Sequence, residues 1–167
     1  MPQPTTHSRA LIAPAALMAA ILAGATAVAC GSDSTTTPTP PTYVASLTGA
    51  NEVPAKSVSG TGTATIVKVA PGSYTYTITY SGMTGNLTGG HIHGPAAPGV
   101  NAPVIVPFAN ATGSANAGTL TGTFTSTNTT AISNDSLDVL LNTGNAYVNL
   151  HTSLNGGGEI RGQLAKQ

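Results

Sequence analysis

Charged side chains are nearly absent from this sequence of 167 residues. They make up 6% of the chain, against roughly 25% in ordinary globular proteins. Five basic residues face five acidic ones, so the formal net charge is zero. A chain without a basic excess has nothing to attract nucleic acid or an anionic membrane surface. Solubility must therefore come from Thr, Ser and Asn side chains and from exposed backbone.

Cysteine, tryptophan and the common catalytic motifs are also scarce or missing. The single cysteine, Cys30, excludes an internal disulfide. The chain has neither a G-x-S-x-G nucleophile elbow nor a phosphate-cradling glycine loop. Tryptophan is absent, whereas there are 20 Gly and 12 Pro residues. This composition is typical of short β-branched strands joined by turns, and the length suits one domain with a real core.

The N-terminal segment predicts export and lipid attachment. His7 and Arg9 precede an apolar run over residues 10–29 that is rich in Ala, Leu and Ile. The run is about long enough to cross a bilayer, so a membrane-spanning helix is the alternative. Its small residues and the closing AVAC at residues 27–30 favour a signal peptide. AVAC resembles a bacterial lipobox, which implies cleavage before Cys30 and a thioether-linked lipid on its sulfur.

These features divide the chain into three parts. Residues 1–29 are predicted to be a lipoprotein signal peptide, and residues 30–42 a lipidated cysteine with a disordered Ser/Thr/Pro tether. The tether offers no apolar side chain to bury, and its prolines favour extended polyproline II. Residues 43–167 remain as the folded domain. The lipid on Cys30 predicts an extracytoplasmic protein anchored to a bacterial membrane, at the outer membrane or the cell surface.

From Tyr43 onward the sequence alternates with period two. Residues 74–80 show this most clearly, with three Tyr and one Ile on one face and three Thr on the other. Similar runs predict further strands, at residues 43–48, 61–69, 104–108, 119–125, 146–152 and 159–164 and around His91 and His93. Seven or eight short strands with frequent turns indicate an all-β fold, an antiparallel Greek-key β-sandwich.

One short helix interrupts the strands. Leu137, Leu140 and Leu141 form an apolar stripe at helical spacing, and Asn134 or Asp135 is the predicted N-cap.

Three histidines are the strongest candidates for a functional site. In a strand, residues i and i+2 point to the same face, so His91 and His93 share a face while Ile92 points to the core. His151 lies on a later strand and shares a face with Asn149. Three imidazoles with an open position suit copper or zinc. Whether His151 meets the other two depends on strand order, which the sequence leaves open.

The predicted surroundings of these histidines are Glu159, Arg161 and Asn149. The final hairpin would bring them close to His151, and a hairpin carboxylate is expected to orient one imidazole by hydrogen bonding. Glu52 is interpreted as a solvated turn residue or as an ion-pair partner of Arg161, and the pair is preferred. The competing interpretation of the cluster is that surface strands carry histidine without binding anything.

Four motifs in order resemble the CHRD domain, a module named for the animal protein chordin and common in bacterial secreted proteins. The resemblance covers residues 43–164 and rests on LTGANEVP, HIHGPA, GNAYVNLHT and GEIRGQL, which begin at residues 47, 91, 144 and 158. It implies an all-β sandwich in an extracytoplasmic setting, and the family's His-x-His and later His fall on His91, His93 and His151. Growth-factor binding, the role of chordin, is not expected to carry over to a bacterial lipoprotein.

A more distant analogy concerns copper-zinc superoxide dismutase, which is also a Greek-key β-sandwich with a His-x-His strand and a distal His around copper. This analogy favours copper over zinc at His91, His93 and His151. The mature chain has too few histidines for a bridged two-metal site, so dismutase activity is not expected.

Three functions follow from these features, in order of preference. The first is binding or delivery of a single transition metal without turnover. The second is a metal-free module that contacts a protein or a glycan, for which the sequence names no partner. The third is a redox enzyme at the same copper. Imidazoles must be neutral to bind a metal, so affinity is expected to fall below about pH 6.5.

Overall fold

Antiparallel strands account for most of the chain that the computed structural model describes, which comprises residues 38–113, 116–126 and 132–167. The predicted signal peptide, Cys30 and residues 31–37 of the predicted tether lie outside the described residues. In the described ranges, no helix has the length and apolar character needed to cross a bilayer.

The order of elements follows the predicted alternation closely. Within the described ranges the elements are β1 (Thr42–Thr48), β2 (Thr61–Ala70), β3 (Ser73–Ser81), β4 (Leu87–His93), β5 (Val104–Pro107), β6 (Gly118–Thr125), α1 (Asn134–Asn142), β7 (Tyr147–Thr152), β8 (Ile160–Gln163) and β9 (Ala165–Lys166). The predicted all-β fold with one short helix is therefore confirmed. The two-residue strand β9 was not predicted.

One continuous sheet with the order β5-β4-β7-β8-β1-β2-β3-β6 contains these strands, and β9 pairs beside β1. The sheet curves until its two ends nearly meet. The Tyr76 ring of β3 lies 4.6 Å from the Phe108 ring, which follows β5. The Tyr76 hydroxyl donates to the Ala109 carbonyl at 3.0 Å. The inner faces of the two halves therefore enclose a single sandwich-like core.

The inner face of β3 shows why the alternation selects this fold. Tyr74, Tyr76 and Ile78 are almost fully buried, as the Tyr/Ile face of residues 74–80 predicts. Phe124 of β6 stacks on Tyr74 with ring centroids 4.9 Å apart. Gly122 faces Tyr76 across the β3–β6 ladder, and a Cβ there would lie 2.5 Å from the tyrosine oxygen. The glycine leaves the space that the tyrosine ring occupies.

Helix α1 closes one side of the core. Leu137 and Leu141 are fully buried, in agreement with the predicted stripe. The N-cap is Ser133, whose hydroxyl accepts from the Ser136 backbone N–H. The prediction of Asn134 or Asp135 as the cap was wrong, because the helix begins at Asn134 itself and the residue before it supplies the oxygen.

Candidate metal centre

Strand pairing decides whether the three histidines meet. β7 lies directly beside β4, and the register places His91 opposite Asn149 and His93 opposite Tyr147. His151 is opposite Gly89, one alternation step from His91. All three histidines therefore project from the same outer face of two neighbouring strands.

The three imidazole rings form one cluster. The His91 ring centroid is 4.9 Å from that of His151 and 5.5 Å from that of His93, and the remaining two centroids are 6.1 Å apart. One ligand nitrogen from each residue lies within 4.8 Å of the other two. Nitrogens bound to one ion at ~2.0–2.1 Å would be separated by roughly 3.3–3.6 Å. A small contraction of the cluster would bring all three to one ion.

Hydrogen bonds to carbonyl oxygens fix which nitrogens remain available. A carbonyl can only accept, so Nδ1 of His93 donates to Ala102 at 2.9 Å and Nδ1 of His151 donates to Gly156 at 3.1 Å. Nε2 of both rings therefore carries a lone pair. Nδ1 of His91 lies 3.1 Å from Nε2 of His151 and must donate to it. An ion bound between these two nitrogens would require the proton to move from Nδ1 to Nε2 of His91, which would keep that ring neutral.

The Nε2 atom of His93 carries the strongest indication of a ligand. It is buried and has no hydrogen-bonding partner among the described residues. An unpaired buried polar atom costs about 1–3 kcal/mol, so such atoms are uncommon in folded proteins. A buried lone pair on a ring that belongs to the three-histidine cluster suits a metal ion. The donor set, the geometry and the unpaired atom all fit a three-histidine metal site.

Gly89 makes room for the His91 ring. A Cβ at this position would lie 3.3 Å from Cε1 of His91 and 3.8 Å from Cδ2 of His151. The first distance is tighter than most side-chain contacts allow. Gly89 therefore belongs to the site, although sequence reasoning did not single it out. Its position two residues before His91, on the same strand face, was the available signal.

All three histidines have lowered pKa values, which keeps them neutral. Burial, and then the proximity of His151 and His93, lowers the pKa of His91 to about 4. Burial also lowers the pKa of His151 and of His93, and for His93 the charges of His151 and Arg161 add to the effect. Neutral imidazoles bind metals. The competition with protons that the sequence predicts below about pH 6.5 is therefore shifted to lower pH.

A loop covers this outer face, and buried side chains hold it there. Residues 94–103, called the covering loop below, accept hydrogen bonds from His93, Arg161 and Gln163. The Tyr147 hydroxyl accepts from the Ala102 N–H at 3.1 Å. The loop turns an outer sheet face into a second buried layer, in which Arg161 and Tyr147 are only 2% exposed.

Arg161 and His93 lie on opposite faces of one tyrosine. The Arg161 guanidinium carbon is 3.4 Å from the Tyr147 ring centroid. The His93 ring stacks on the same tyrosine, with centroids 4.9 Å apart and planes 3° from parallel. Arg161 lies near His93 through this stack. Tyr147 shares the face of His151 by strand alternation, but the sequence analysis did not single it out.

Glu159 does not orient an imidazole, contrary to the prediction. Its fully buried carboxylate accepts from Thr84, Thr152 and Asn155 instead. Burial alone would raise the pKa of Glu159, but these hydrogen bonds more than offset it and the pKa lies below its ordinary value. The prediction failed because Glu159 precedes β8 and leaves the sheet face that Arg161 occupies. Its role is to join two loops.

Asn149 and Glu52 form a separate pair beside the histidines. The Asn149 amide donates to a Glu52 carboxylate oxygen at 3.4 Å and makes no hydrogen bond to an imidazole of the described cluster. Burial raises the pKa of Glu52, and Arg161 acts in the opposite direction. The preferred Glu52–Arg161 ion pair is absent, since the only such pair within 4.0 Å in the described ranges joins Lys68 to Asp138.

Together these features define a small all-β domain with a three-histidine candidate metal centre under a loop. The profile of the CHRD domain matches residues 43–164. The chain belongs to the CHRD domain family, as its motifs predicted. A comparison with curated proteins found no match.

Proposed function

We propose that this protein is an extracytoplasmic lipoprotein whose CHRD domain binds a single copper ion through His91, His93 and His151, for copper binding or delivery. The observation that carries the proposal is the buried, unpaired Nε2 atom of His93, in a cluster where each of the three histidines offers one ligand nitrogen within 4.8 Å of the others. A polar lone pair held in this position has no partner in the apo site and acquires one when an ion binds.

The chemistry of the donors supports copper before zinc. Imidazole nitrogen suits both metals. By the Irving–Williams order, a given set of nitrogen ligands binds Cu²⁺ more tightly than Zn²⁺. The hydrogen bonds from Nδ1 of His93 and His151 to backbone carbonyls orient these rings and increase their basicity as ligands. The donors that converge here in the described part of the chain are imidazole nitrogens, and we propose metal binding rather than turnover.

Calorimetric titration of the full chain tests this function. The protein carries Cys30→Ser, so that a thiol cannot bind copper, and has no histidine tag. After treatment with chelator it is titrated with Cu(II), Cu(I) and Zn(II). We expect one copper ion per chain. In His93→Phe the copper affinity should fall at least about 100-fold, which is more than the usual loss when only a hydrogen-bond partner of a metal ligand is removed. Phenylalanine keeps the ring that stacks on Tyr147.

The matched control is His7→Ala, which removes the chain's one histidine outside the cluster. This variant should bind copper as the parent protein does. The proposal fails if the folded parent binds no copper, or if His93→Phe binds it unchanged.

The proposed anchoring is tested separately on Cys30. The AVAC motif at residues 27–30 supports lipid attachment in the cell envelope. Intact mass measurement of protein purified from a bacterial membrane should find the added lipid and the loss of residues 1–29. Cys30→Ala should abolish both changes. An unmodified thiol at Cys30 in the membrane-expressed protein contradicts the assignment.

A second candidate function rests on the opposite half of the sheet. The outer face of β2, β3 and β6 carries rows of exposed threonines without a charged residue among them, including Thr63, Thr79 and Thr119. An uncharged hydroxyl surface supports contact with a protein or a glycan. If the titration finds no metal, capture of envelope proteins and glycans by parent protein but not by a Thr63→Lys, Thr79→Lys variant would favour this function.

A further inference from the structure

A buried positive charge lies close to the histidine cluster without a negative partner. Arg161 is 2% exposed. Its guanidinium donates to the Val100 carbonyl at 2.6 Å and to the Asn101 side-chain oxygen at 3.0 Å, both of which are neutral acceptors. No carboxylate of the described residues lies within 4.0 Å of it. Burial of an ion is costly unless it is paired, so an unpaired one invites a functional explanation.

Neither Glu159 nor Glu52 forms an ion pair with Arg161 within 4.0 Å. Glu159 is held by Thr84, Thr152 and Asn155. Glu52 accepts from Asn149. The candidate ligands themselves are imidazoles, which carry no negative charge. An ion bound by the cluster therefore lies near a buried positive charge that no described carboxylate pairs with directly.

The stack places the charge of Arg161 close to the His93 ring. Tyr147 separates the Arg161 guanidinium from the His93 ring, with 3.4 Å on one side and 4.9 Å on the other. The covering loop excludes water from the stack, because His93, Tyr147 and Arg161 are all buried beneath it. A charge so placed is screened less than one at the surface.

We propose that Arg161, acting across Tyr147, makes the three-histidine site prefer monovalent copper to divalent copper and zinc. Coulomb repulsion is proportional to the charge of the bound ion, so Arg161 disfavours a divalent ion twice as much as a monovalent one. Three neutral ligands also leave two positive charges uncompensated on Cu(II) or Zn(II), but one on Cu(I). Arg161 is a positioning and electrostatic residue, not a ligand. The inference rests on the proposed copper site.

Soft sulfur ligands, the usual means of selecting Cu(I), are not part of this cluster. The proposed selectivity is attributed to the charge of Arg161, and changing that charge tests it. Arg161→Gln removes the charge and keeps a hydrogen-bond donor, whereas Arg161→Lys keeps the charge and loses the planar stack. Gln163→Ala is the matched control, since Gln163 lies on the same strand face, holds the same loop through a hydrogen bond to Ala96 and carries no charge.

The experiment measures affinities of the full chain with Cys30→Ser for Cu(I), Cu(II) and Zn(II), by competition with chelators of known affinity, and the midpoint potential of the copper-loaded protein. In the parent protein, Cu(I) should bind more tightly than Cu(II), so its potential should lie above that of the aqueous couple. Arg161→Gln should reduce the preference for Cu(I) over Cu(II) by about tenfold, which corresponds to about 59 mV for a one-electron couple. Arg161→Lys and Gln163→Ala should remain close to the parent value.

Each outcome decides between distinct conclusions. The inference is overturned if Arg161→Gln folds, binds copper and keeps the parent selectivity, or if Arg161→Lys and Gln163→Ala change it as much. If Arg161→Gln does not fold, the affinities of the parent protein test the inference by themselves. Cu(II) or Zn(II) binding to the parent as tightly as Cu(I) also overturns it. If the parent binds no metal in any form, the proposed function fails instead.

Discussion

The outer face of the sheet differs between its two halves. On β2, β3 and β6 it is a hydroxyl face, defined by two rows of threonines that are exposed except for the half-buried Thr65: Thr63, Thr79 and Thr119, and Thr65, Thr77 and Thr121. On β4, β7 and β8 it is a histidine face, defined by His91, His93, Tyr147, Asn149, His151, Arg161 and Gln163. The strands of both halves alternate in the same way. Only the histidine face lies under the covering loop.

The covering loop is what makes the polar residues of the histidine face interact specifically. On the hydroxyl face, Thr63 and Thr79 share one exposed hydrogen bond of 3.3 Å and otherwise face water. Around His93, Tyr147 and Arg161 the histidine face is buried, so each polar group there needs a protein partner or a ligand. Burial lowers the pKa values of the histidines and leaves Nε2 of His93 unpaired. The same residue types on an open face would form no site.

Among the substitutions that compare the two halves, Glu159→Ala is expected to lower the free energy of unfolding most. Removing this carboxylate leaves the buried Thr152 hydroxyl and the Thr84 N–H without their acceptor and weakens the contact between two loops. We expect the free energy of unfolding to fall by about 3 kcal/mol. Urea denaturation measures this, and Glu159→Gln, which retains one acceptor, should lose less. A loss below about 1 kcal/mol in Glu159→Ala would contradict the structural role.

Gly122→Ala tests the inner face of the other half. The new Cβ would approach the Tyr76 oxygen to 2.5 Å and its ring to 2.7 Å, so the tyrosine or the backbone must move. Such overpacking usually costs about 1–3 kcal/mol. The control is Thr121→Ala on the adjacent, outward position, which should cost much less. Equal thermal stability of the two variants would show that the Tyr76 ring moves freely.

Between pH 6.5 and 4, the histidine face should contribute to acid destabilisation of the metal-free protein. The folded pKa of His91 is lowered to about 4 from 6.5, so within this window the unfolded chain binds more protons than the folded one. The stability of the folded protein is not reduced by this effect above pH 6.5, and it decreases as the pH falls below that value. Allowing for solvent screening, we expect a loss of about 1–2 kcal/mol.

Denaturation of the parent protein and of a His91→Phe, His93→Phe, His151→Phe variant across this pH range isolates the effect. The variant should show a flatter profile between pH 6.5 and 4.5. Parallel profiles would mean that the imidazoles are solvated in the folded state.

Thr79→Val is expected to have the smallest effect. It removes one side of the exposed Thr63–Thr79 hydrogen bond and keeps a β-branched side chain that suits a strand. The free energy of unfolding should change by no more than about 0.5 kcal/mol, and copper affinity should be unchanged. A larger loss of stability, measured by urea denaturation, would mean that the hydroxyl face contributes to the fold and is not merely a solvated surface.

Much of the fold was predictable because alternation is a local property. The Tyr/Thr pattern of residues 74–80 identifies an inner and an outer face without knowledge of the neighbouring strands. The helix cap was missed by one residue, since Ser133 and Asn134 both suit a cap and their backbone geometry decides. The two-residue strand β9 is too short to show any period.

The candidate site was predictable only in part. His91 and His93 share a face by the geometry of any strand, whatever the sheet around them. Their meeting with His151 required β4 and β7 to be neighbours, and strand order depends on the packing of the whole chain. Glu159 was misassigned for the same kind of reason, because its partner Thr84 lies 75 residues away in sequence.

The sequence by itself determined the alternating strands, the common face of the His-x-His pair and the motifs of the CHRD domain. These features depend only on residues that are close together in the sequence and on the order of the motifs. The tertiary structure decided the meeting of the three histidines, the protonation of their Nδ1 atoms and the stack of Arg161, Tyr147 and His93. These depend on hydrogen bonds and contacts of a few ångströms between distant segments, and on a loop that removes water from one sheet face and not from the other.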